Sequence, residues 1–273
     1  MTDGSEWQGQ VGQTWSREWR RTDRSFAGLT DRLLQVARGM QIERALDVGC
    51  GAGELSLALA RSHPQAVIRG IDISEELVEV ARERASNNNV KFAVMDAGEW
   101  DDASWKPDLI MSRHGVMFFD DPVRAFSHLR MAATPEARLV FSCFQRFDNN
   151  PWLTGLAGLL PDGAVEKPAP GYRPGPFAFA DRDFVSDTLS EAGWKNIEFE
   201  PVDFAYIAGA GDDPVEDAVS YLLSIGPAAA AARALDHDER ALFIAKLRSY
   251  LSSRVDGSIV ALGAAAWIVT ATA

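Results

Sequence analysis

The sequence contains little cysteine, no excess of positive charge and no long apolar run. Cys50 and Cys143 are its only cysteines among 273 residues, and their spacing fits neither a disulfide framework nor a metal site. No stretch approaches the ~20 apolar residues that a membrane span needs, and the first residues lack the basic start and apolar run of a signal peptide. We therefore expect a cytoplasmic protein with no metal and no membrane partner.

Acidic residues outnumber basic ones, 39 against 27, which gives a formal net charge of −12. A protein that binds nucleic acid by neutralising phosphates usually has a basic surface. Arg17, Arg20, Arg21 and Arg24 form a local basic cluster, which is small beside the overall charge. The composition therefore disfavours a nucleic-acid partner, while a hydrophobic share of 47% is enough for one large core.

Apolar segments and helical segments alternate through the first half of the chain. Predicted strands cover residues 44–48, 67–71, 90–95, 108–112 and 138–143, with predicted helices at 54–61, 74–85 and 121–131 between them. This alternation predicts an α/β fold with a Rossmann-like, doubly wound and mostly parallel sheet. In such sheets the ligand lies at the carboxyl ends of the strands.

Two further strands follow this alternating region. They are predicted at residues 197–206 and 259–270. Because the last one arrives after a helical insertion and ends the chain, we expect it to run antiparallel beside its predecessor. Residues 11–38 are predicted to be helical, since Trp15, Trp19 and later apolar residues recur at helical spacing.

A glycine-rich loop follows the first predicted strand. Gly49, Gly51 and Gly53 stand where the chain must turn sharply and lie against a ligand without an intervening Cβ. The helix that begins behind them offers free backbone amides. Asp72 ends the second strand, 19 residues after Gly53, where this architecture places an acid that receives ribose hydroxyls. We predict a nucleotide-containing cofactor bound by these residues.

The residues around the loop indicate which cofactor it is. A dinucleotide fingerprint requires glycine three positions after its second glycine, and this position is Glu54. Asp96, at the end of the third strand, can accept from an adenine amino group. Asp47 lies two residues before the first glycine, close enough to reach an ammonium group through water. The pattern disfavours a nicotinamide-dependent oxidoreductase, which remains the alternative enzyme class.

These motifs carry a family resemblance. Residues 45–53, 70–74 and 95–97 resemble the cofactor motifs of class I S-adenosylmethionine-dependent methyltransferases. Residues 112–122 are similar to the fourth-strand motif of a bacterial small-molecule branch of that family. The resemblance is close over residues 45–144, and it implies S-adenosylmethionine as the cofactor and a small organic molecule as the methyl acceptor. A cofactor-binding module without catalysis is the other alternative.

The resemblance implies a role for each residue of the loop and the second strand. The backbone of Gly49, Cys50 and Gly51 would line the methionine part of the cofactor. The carboxylate of Asp72 would accept from the ribose hydroxyls, with Ile73 against the adenine.

It implies further contacts at the third and fourth strands and near the N-terminus. Asp96 and the amide of Ala97 would bind the adenine edge, and the carbonyl of Ser112 would meet the amino group. Trp15 and Arg20 would close over the cofactor, as N-terminal helices often do in this family. The alternative for both is a helix that only docks on the sheet.

The resemblance also implies a division of the chain. We predict a single domain, 1–273, with a helical segment at 1–40, a cofactor-binding core at 45–144 and acceptor-side insertions at 145–180 and 212–252. Several aromatic side chains are expected to make the acceptor pocket apolar, namely Phe118, Phe119, Trp152, Phe177 and Phe179.

His114 is the candidate catalytic residue. It stands two residues after the fourth strand, where the resembling branch commonly has an aromatic residue. An unperturbed imidazole titrates near pH ~6.5, which suits a general base at neutral pH. We therefore predict that His114 faces the acceptor, with packing under the cap as the alternative. Arg113 beside it could hold an anionic acceptor or point to solvent.

Overall fold

The computed structural model describes residues 7–100, 102, 104–161 and 171–273, without the side chain of residue 227. The strands of the described part are β1 Arg44–Val48, β2 Val67–Asp72, β3 Val90–Val94, β4 Leu109–Arg113, β5 Arg138–Phe144, β6 Lys195–Ala210, β7 Val255–Asp256 and β8 Ile259–Thr272. The α-helices there are α1 Gln10–Arg17, α2 Trp19–Ser25, α3 Ala27–Ala37, α4 Glu54–Ser62, α5 Glu75–Arg84, α6 Pro122–Ala132, α7 Pro151–Ala157, α8 Arg182–Glu191, α9 Pro214–Leu222, α10 Gly226–Ala234 and α11 His237–Ser252.

The strands form one sheet in the order β3-β2-β1-β4-β5-β8-β6, and β7 pairs with β8. Strands β1 to β5 pair in parallel, whereas β8 runs antiparallel to both β5 and β6. The predicted Rossmann-like sheet with an antiparallel last strand is therefore confirmed. The chain reverses its winding direction between β1 and β4, which is where an open α/β sheet forms its ligand crevice.

The central strands are buried, as expected for strands covered by helices on both faces. In β1 all residues after Arg44 are buried, and β5 shows the same pattern after Arg138. The predicted starts of two helices are confirmed. The Ser74 side chain accepts from a backbone N–H of the first turn of α5, and Asp121 does the same for α6.

The N-terminal helical segment differs from the simplest reading of its sequence. Three helices replace one continuous run, with breaks at Glu18 and Phe26. Because of these breaks, α1 packs on α5, while α2 and α3 pack on β6. The aromatic stripe of the segment is thereby turned towards the crevice at Trp15, Trp19 and Phe26.

Strand β6 is longer than its predicted range of 197–206. It continues to Ala210, with an irregularity in its pairing between Ile207 and Gly209. A Cβ on Gly209 would lie 1.9 Å from the backbone oxygen of Pro214, so glycine is needed where α9 begins against the strand. The predicted helical insertion after this point is confirmed as α9, α10 and α11. No helix in the described ranges is long and apolar enough to cross a membrane.

Candidate functional site

A cavity of about 410 Å³ opens at the carboxyl ends of β1, β2 and β4. Its wall combines the glycine loop, the loops after β2, β3 and β4, the N-terminal helices, and parts of both predicted acceptor-side insertions. Most of the predicted cofactor residues line it: Trp15, Asp47, Gly49, Cys50, Gly51, Asp72, Ile73, Asp96 and Ala97. Gly53, Ser112 and Arg20 do not line it.

The glycine loop has its shape for two different reasons. Gly49 and Gly51 both have positive φ angles, of 66° and 52°. A Cβ on Gly49 would lie 2.7 Å from the Cα of Gly115, so only glycine lets these backbones approach. A Cβ on Gly51 would meet no described atom within 4 Å, because this residue borders the open cavity. Gly53 instead faces the core, where a Cβ would lie 2.8 Å from the ring of Phe92.

Asp72 connects two of the loops that border the cavity. One carboxylate oxygen accepts from the N–H of Gly51 at 2.8 Å, and the other accepts from the N–H of Ser74 at 2.9 Å. Burial raises the pKa of this carboxyl, and the two amide hydrogen bonds oppose the rise. Each oxygen keeps a second lone pair that can accept from a ligand hydroxyl.

Asp47 is almost completely buried beneath the glycine loop, with 1% of its surface exposed. Its Oδ2 accepts from the hydroxyl of Ser56 at 2.6 Å, whereas its Oδ1 has no hydrogen-bond partner among the described residues. Burial raises the pKa of Asp47 to about 7, against the opposing effects of the Ser56 hydrogen bond and the Arg113 charge. A buried carboxylate with an unpaired oxygen favours a cationic ligand beside it.

Ile73, Asp96 and Ala97, the predicted adenine contacts, line the same cavity as Asp72. Asp96 is exposed at the cavity rim, and its Oδ1 accepts from the N–H of Gly98 at 2.7 Å. Ala97 is buried against the same wall, and Ile73 lines it from the loop after β2.

Ser112 has a structural position. It is fully buried, and its hydroxyl accepts from the N–H groups of Gly115 and Val116 at 3.1 and 3.3 Å. Ser112 therefore holds the turn after β4, and its predicted contact with the cofactor amino group stays a prediction.

Two basic side chains near the N-terminal helices differ from expectation. Arg20 is exposed and stacks on Trp19, 4.4 Å from the ring centroid, outside the cavity wall. Arg84, which the sequence did not single out, covers the same ring at 3.8 Å. Arg84 also pairs with Asp23 at 2.9 Å and with Glu54 at 2.8 Å. It therefore ties α2 to the first turn behind the glycine loop.

Gly12 is a further residue that sequence patterns did not reveal. A Cβ on it would lie 2.3 Å from the backbone oxygen of Trp7 and 2.4 Å from the Ser74 hydroxyl. Helix α1 can therefore cover the loop after β2 only because residue 12 has no side chain.

We expect Gly12→Ala to loosen this cover. Overpacking costs roughly 1–3 kcal/mol, so ligand affinity at the Asp72 end of the cavity should fall about 5- to 150-fold. Gly28→Ala is the matched control, because a Cβ there meets Phe204 at an ordinary 3.7 Å and alanine favours a helix. Calorimetry of ligand binding and limited proteolysis of the N-terminal segment measure the effect. Equal behaviour of both variants would show that α1 does not cover the ligand.

His114 lies where the cavity passes the glycine loop. Its backbone is left-handed, with a φ of 66°, and its N–H donates to the Ser142 carbonyl at 3.2 Å. The ring stacks on Phe144 at 4.2 Å and meets Phe26 edge-on at 5.2 Å. Burial and the charge of Arg113 lower the pKa of His114 to about 3. The imidazole is therefore neutral at neutral pH and a weak base, so the general-base role stays a prediction that this environment does not favour.

Arg113 is engaged within the protein. It donates to the hydroxyl of Thr30 at 2.8 Å and pairs with Asp23 at 3.2 Å. To hold an anionic acceptor, Arg113 would have to give up its contacts with Thr30 and Asp23.

The aromatic residues expected around the acceptor divide into two groups. Phe118, Phe119 and Trp152 line the cavity. Phe177 packs on Phe144 and is not part of the cavity wall, and Phe179 is fully buried in the core. The expectation for Phe179 was wrong, because the chain turns into the core at this residue, while the expected place of the half-buried Phe177 beside the acceptor stays a prediction.

The remaining candidate chemistry is limited. Burial raises the pKa of both Cys50 and Cys143, so neither thiol forms a nucleophilic thiolate at neutral pH. Within the described part of the chain, no three histidine, cysteine, aspartate or glutamate side chains are grouped so that they could hold a metal ion.

Comparisons with known proteins agree with this geometry. Residues 41–162 match the family described as "Methyltransferase domain". Aklanonic acid methyltransferase DauC of Streptomyces sp. (strain C5) is 30% identical over 155 residues, which cover 55% of this chain and 70% of that protein. Malonyl-[acyl-carrier protein] O-methyltransferase of Acetivibrio thermocellus is 36% identical over 99 residues, which are 36% of this chain. The chain thus spans about a third of the length of this relative, 35%.

Among solved structures, the [4+2]-cyclase SpnF has the same fold. It aligns with a TM-score of 0.58 at 19% identity, over 99% of this chain and 97% of that chain. The sheet order, the glycine loop and the acidic residues after β2 and β3 fit the family that the match to DauC indicates. The chain belongs to the class I S-adenosylmethionine-dependent methyltransferases.

Proposed function

We propose that this protein transfers a methyl group from S-adenosylmethionine to a small organic acceptor. The single observation that carries the proposal is the pair of acids around the glycine loop. Asp47 presents a buried unpaired oxygen beside the loop, and Asp72 presents two oxygens at its other edge. These carboxylate oxygens are hydrogen-bond acceptors, which fits the ammonium group and the ribose hydroxyls of the cofactor as donors.

When bound, S-adenosylmethionine supplies a methyl group on a sulfonium, which is already electrophilic. The protein then has to position the acceptor and exclude water. Trp7, Trp15 and Trp19 cover the cofactor side of the cavity, and Trp152 borders the side that we assign to the acceptor. A protein base is required only where the acceptor carries a proton that must leave.

The insertions 145–180 and 212–252 complete the acceptor side under this proposal. Trp152 and Leu156 of the first insertion line the cavity, as do Leu222 and Ile225 of the second. Residues 162–170 of the first insertion lie outside the described residues. A net charge of −12 supports a small-molecule acceptor over nucleic acid.

The alternatives make different predictions. A nicotinamide cofactor is disfavoured because Glu54 occupies a fingerprint glycine position and pairs with Arg84. The fold alone does not distinguish a methyltransferase from a binding module or from an enzyme with another reaction, because SpnF, named as a cyclase, has the same fold.

Calorimetry with S-adenosylhomocysteine and with NADH tests the cofactor. We expect binding of the first and none of the second. Formation of S-adenosylhomocysteine from S-adenosylmethionine with phenols, carboxylates, amines and thiols then tests transfer. Binding of NADH in place of S-adenosylhomocysteine would overturn the proposal, and cofactor binding without any transfer would favour the module.

A further inference from the structure

The cavity has an aromatic end, which begins at His114 next to the glycine loop. This aromatic end consists of His114, Phe144, Trp152, Tyr206 and Phe26. Its rings follow one another at small interplanar angles. His114 lies at 21° to Phe144, Phe144 at 35° to Trp152, and Trp152 at 15° to Tyr206, with centroids 4.2, 5.4 and 5.0 Å apart. The parts of these rings that border the cavity form an apolar wall, on which a flat aromatic ligand can pack face-on or edge-on.

The aromatic end borders the glycine loop directly. The Cα of Gly115, the residue after His114, is so close to Gly49 that no Cβ fits between them. A molecule held beside His114 therefore lies next to the part of the cavity that we assign to the methionine portion of the cofactor. This is the position that a methyl acceptor must occupy.

Charged groups at this end are already paired. Arg113 and Asp23 form an ion pair with each other, and Arg84 pairs with Asp23 from the other side. The hydroxyls of Tyr206 and Tyr221 hydrogen-bond together, at 3.4 Å. Because a buried charge without a partner is costly, an anionic or cationic acceptor would be poorly accommodated here.

One polar atom at this end lacks a partner among the described residues. His114 is 8% exposed, and its Nε2 has no hydrogen bond, while Nδ1 lies 3.5 Å from the Ser142 hydroxyl. Buried polar groups in folded proteins are normally paired, so this nitrogen marks a place for a ligand hydrogen bond. A neutral imidazole nitrogen can accept from a hydroxyl or donate to a carbonyl, depending on its tautomer.

We infer that the acceptor is an uncharged, flat aromatic molecule whose hydroxyl or carbonyl group hydrogen-bonds to His114 Nε2. The inference rests on the proposed function for the cofactor side and specifies its substrate class. His114 is assigned as an anchoring residue rather than a base.

Four probes of similar size separate charge, hydrogen bonding and flatness. Equilibrium dialysis at pH 7 with saturating S-adenosylhomocysteine compares 2-naphthol with 2-naphthoate, 2-methylnaphthalene and 2-decalol. We expect 2-naphthol to bind at least tenfold more tightly than the charged 2-naphthoate. The affinity for 2-naphthol should exceed the affinity for 2-methylnaphthalene by about 2- to 12-fold, because one hydrogen bond contributes this much. The saturated, non-planar 2-decalol should bind more weakly than 2-naphthol.

Two variants test the named residues. His114→Asn keeps a residue that tolerates the left-handed backbone, and it should abolish the advantage of 2-naphthol over 2-methylnaphthalene. His237→Asn, at a histidine whose side chain is 97% exposed, is the control. Phe144→Leu should weaken 2-naphthol binding about 2- to 12-fold. Phe199→Leu, which alters a ring outside the cavity wall, should not.

The outcomes separate this inference from the proposed function. Failure of S-adenosylhomocysteine to bind would overturn the proposed function. Normal binding of S-adenosylhomocysteine, with 2-naphthoate bound as tightly as 2-naphthol, would overturn only the acceptor class. An unchanged probe preference in His114→Asn would remove the anchoring role.

Discussion

Replacing Asp72 with alanine is expected to weaken S-adenosylhomocysteine binding about 10- to 150-fold, because a charged hydrogen bond contributes roughly 1.5–3 kcal/mol. Under the proposed function this carboxylate accepts from the ribose hydroxyls. It also accepts from the amides of Gly51 and Ser74, so the variant loses the connection between the two loops that border the ribose. Calorimetry at pH 8, which favours the ionised carboxylate, measures the dissociation constants of S-adenosylhomocysteine for the wild type and for the variant.

A control variant separates loss of the ribose contact from loss of backbone hydrogen bonds. Asp181→Ala removes a side chain that also accepts from two backbone amides, those of Asp183 and Phe184, outside the cavity wall. It should lower the free energy of unfolding by about 1 kcal/mol without changing ligand affinity. Wild-type affinity in Asp72→Ala would refute the ribose assignment.

The sheet and the cofactor loop were predictable because their signals are local. Strand periodicity, the three glycines and an acid at the end of β2 all lie within short stretches of sequence. Parallel pairing then brings strand ends to one edge without further information. The positions of Asp47, Gly51, Asp72 and Asp96 around one cavity follow from that rule.

The parts that sequence did not predict depend on contacts between distant segments. Arg84 ends one helix and meets Asp23 of another, and neither position has a local pattern that pairs them. Gly12 is an ordinary helical glycine until Ser74 is placed against it. Arg20 neighbours Trp19 in sequence, whereas Arg84 reaches the same ring from a distant helix, and only the packing of the helices brings it there.

His114 shows how burial changes a chemical prediction. Its residue type suggests a base near neutral pH, but the rings of Phe26 and Phe144 exclude water from it. Desolvation then favours the uncharged imidazole and lowers its pKa. Residue type and position thus predicted that His114 borders the cavity, and its environment favours the anchoring role that we infer over the role of a general base.

Asp47 should make cofactor affinity depend on pH around neutrality. Its pKa is raised to about 7, because burial disfavours the charged carboxylate. Under the proposed function the ligand ammonium requires that carboxylate to be ionised. From pH 8 to pH 6 the ionised fraction falls about tenfold, so S-adenosylhomocysteine should bind about tenfold more weakly at pH 6. Calorimetry in buffers of different ionisation enthalpy should also detect release of a proton on binding near pH 6.

The raised pKa of Asp47 has the opposite effect on the stability of the ligand-free protein, which should decrease as pH rises. The unfolded carboxyl titrates near pH ~3.9, and the folded one near 7. Between these values the native state binds the proton more tightly, so the free energy of unfolding falls as pH rises through this window. The loss reaches up to about 4 kcal/mol and persists above the folded pKa.

Asp47→Asn should therefore separate stability from binding. An amide cannot ionise, so at pH 8 the ligand-free variant should resist urea unfolding better than the wild type, by up to about 4 kcal/mol, with a smaller gain at pH 5. Its affinity for S-adenosylhomocysteine should fall and lose its dependence on pH. Asp108→Asn is the control, because Asp108 accepts from the amides of Glu43 and Arg44 at the opposite end of β1. A wild-type affinity that stays constant from pH 6 to pH 8 would contradict an ionising Asp47 beneath the ligand, whereas a variant both less stable and unchanged in binding would make this carboxylate purely structural.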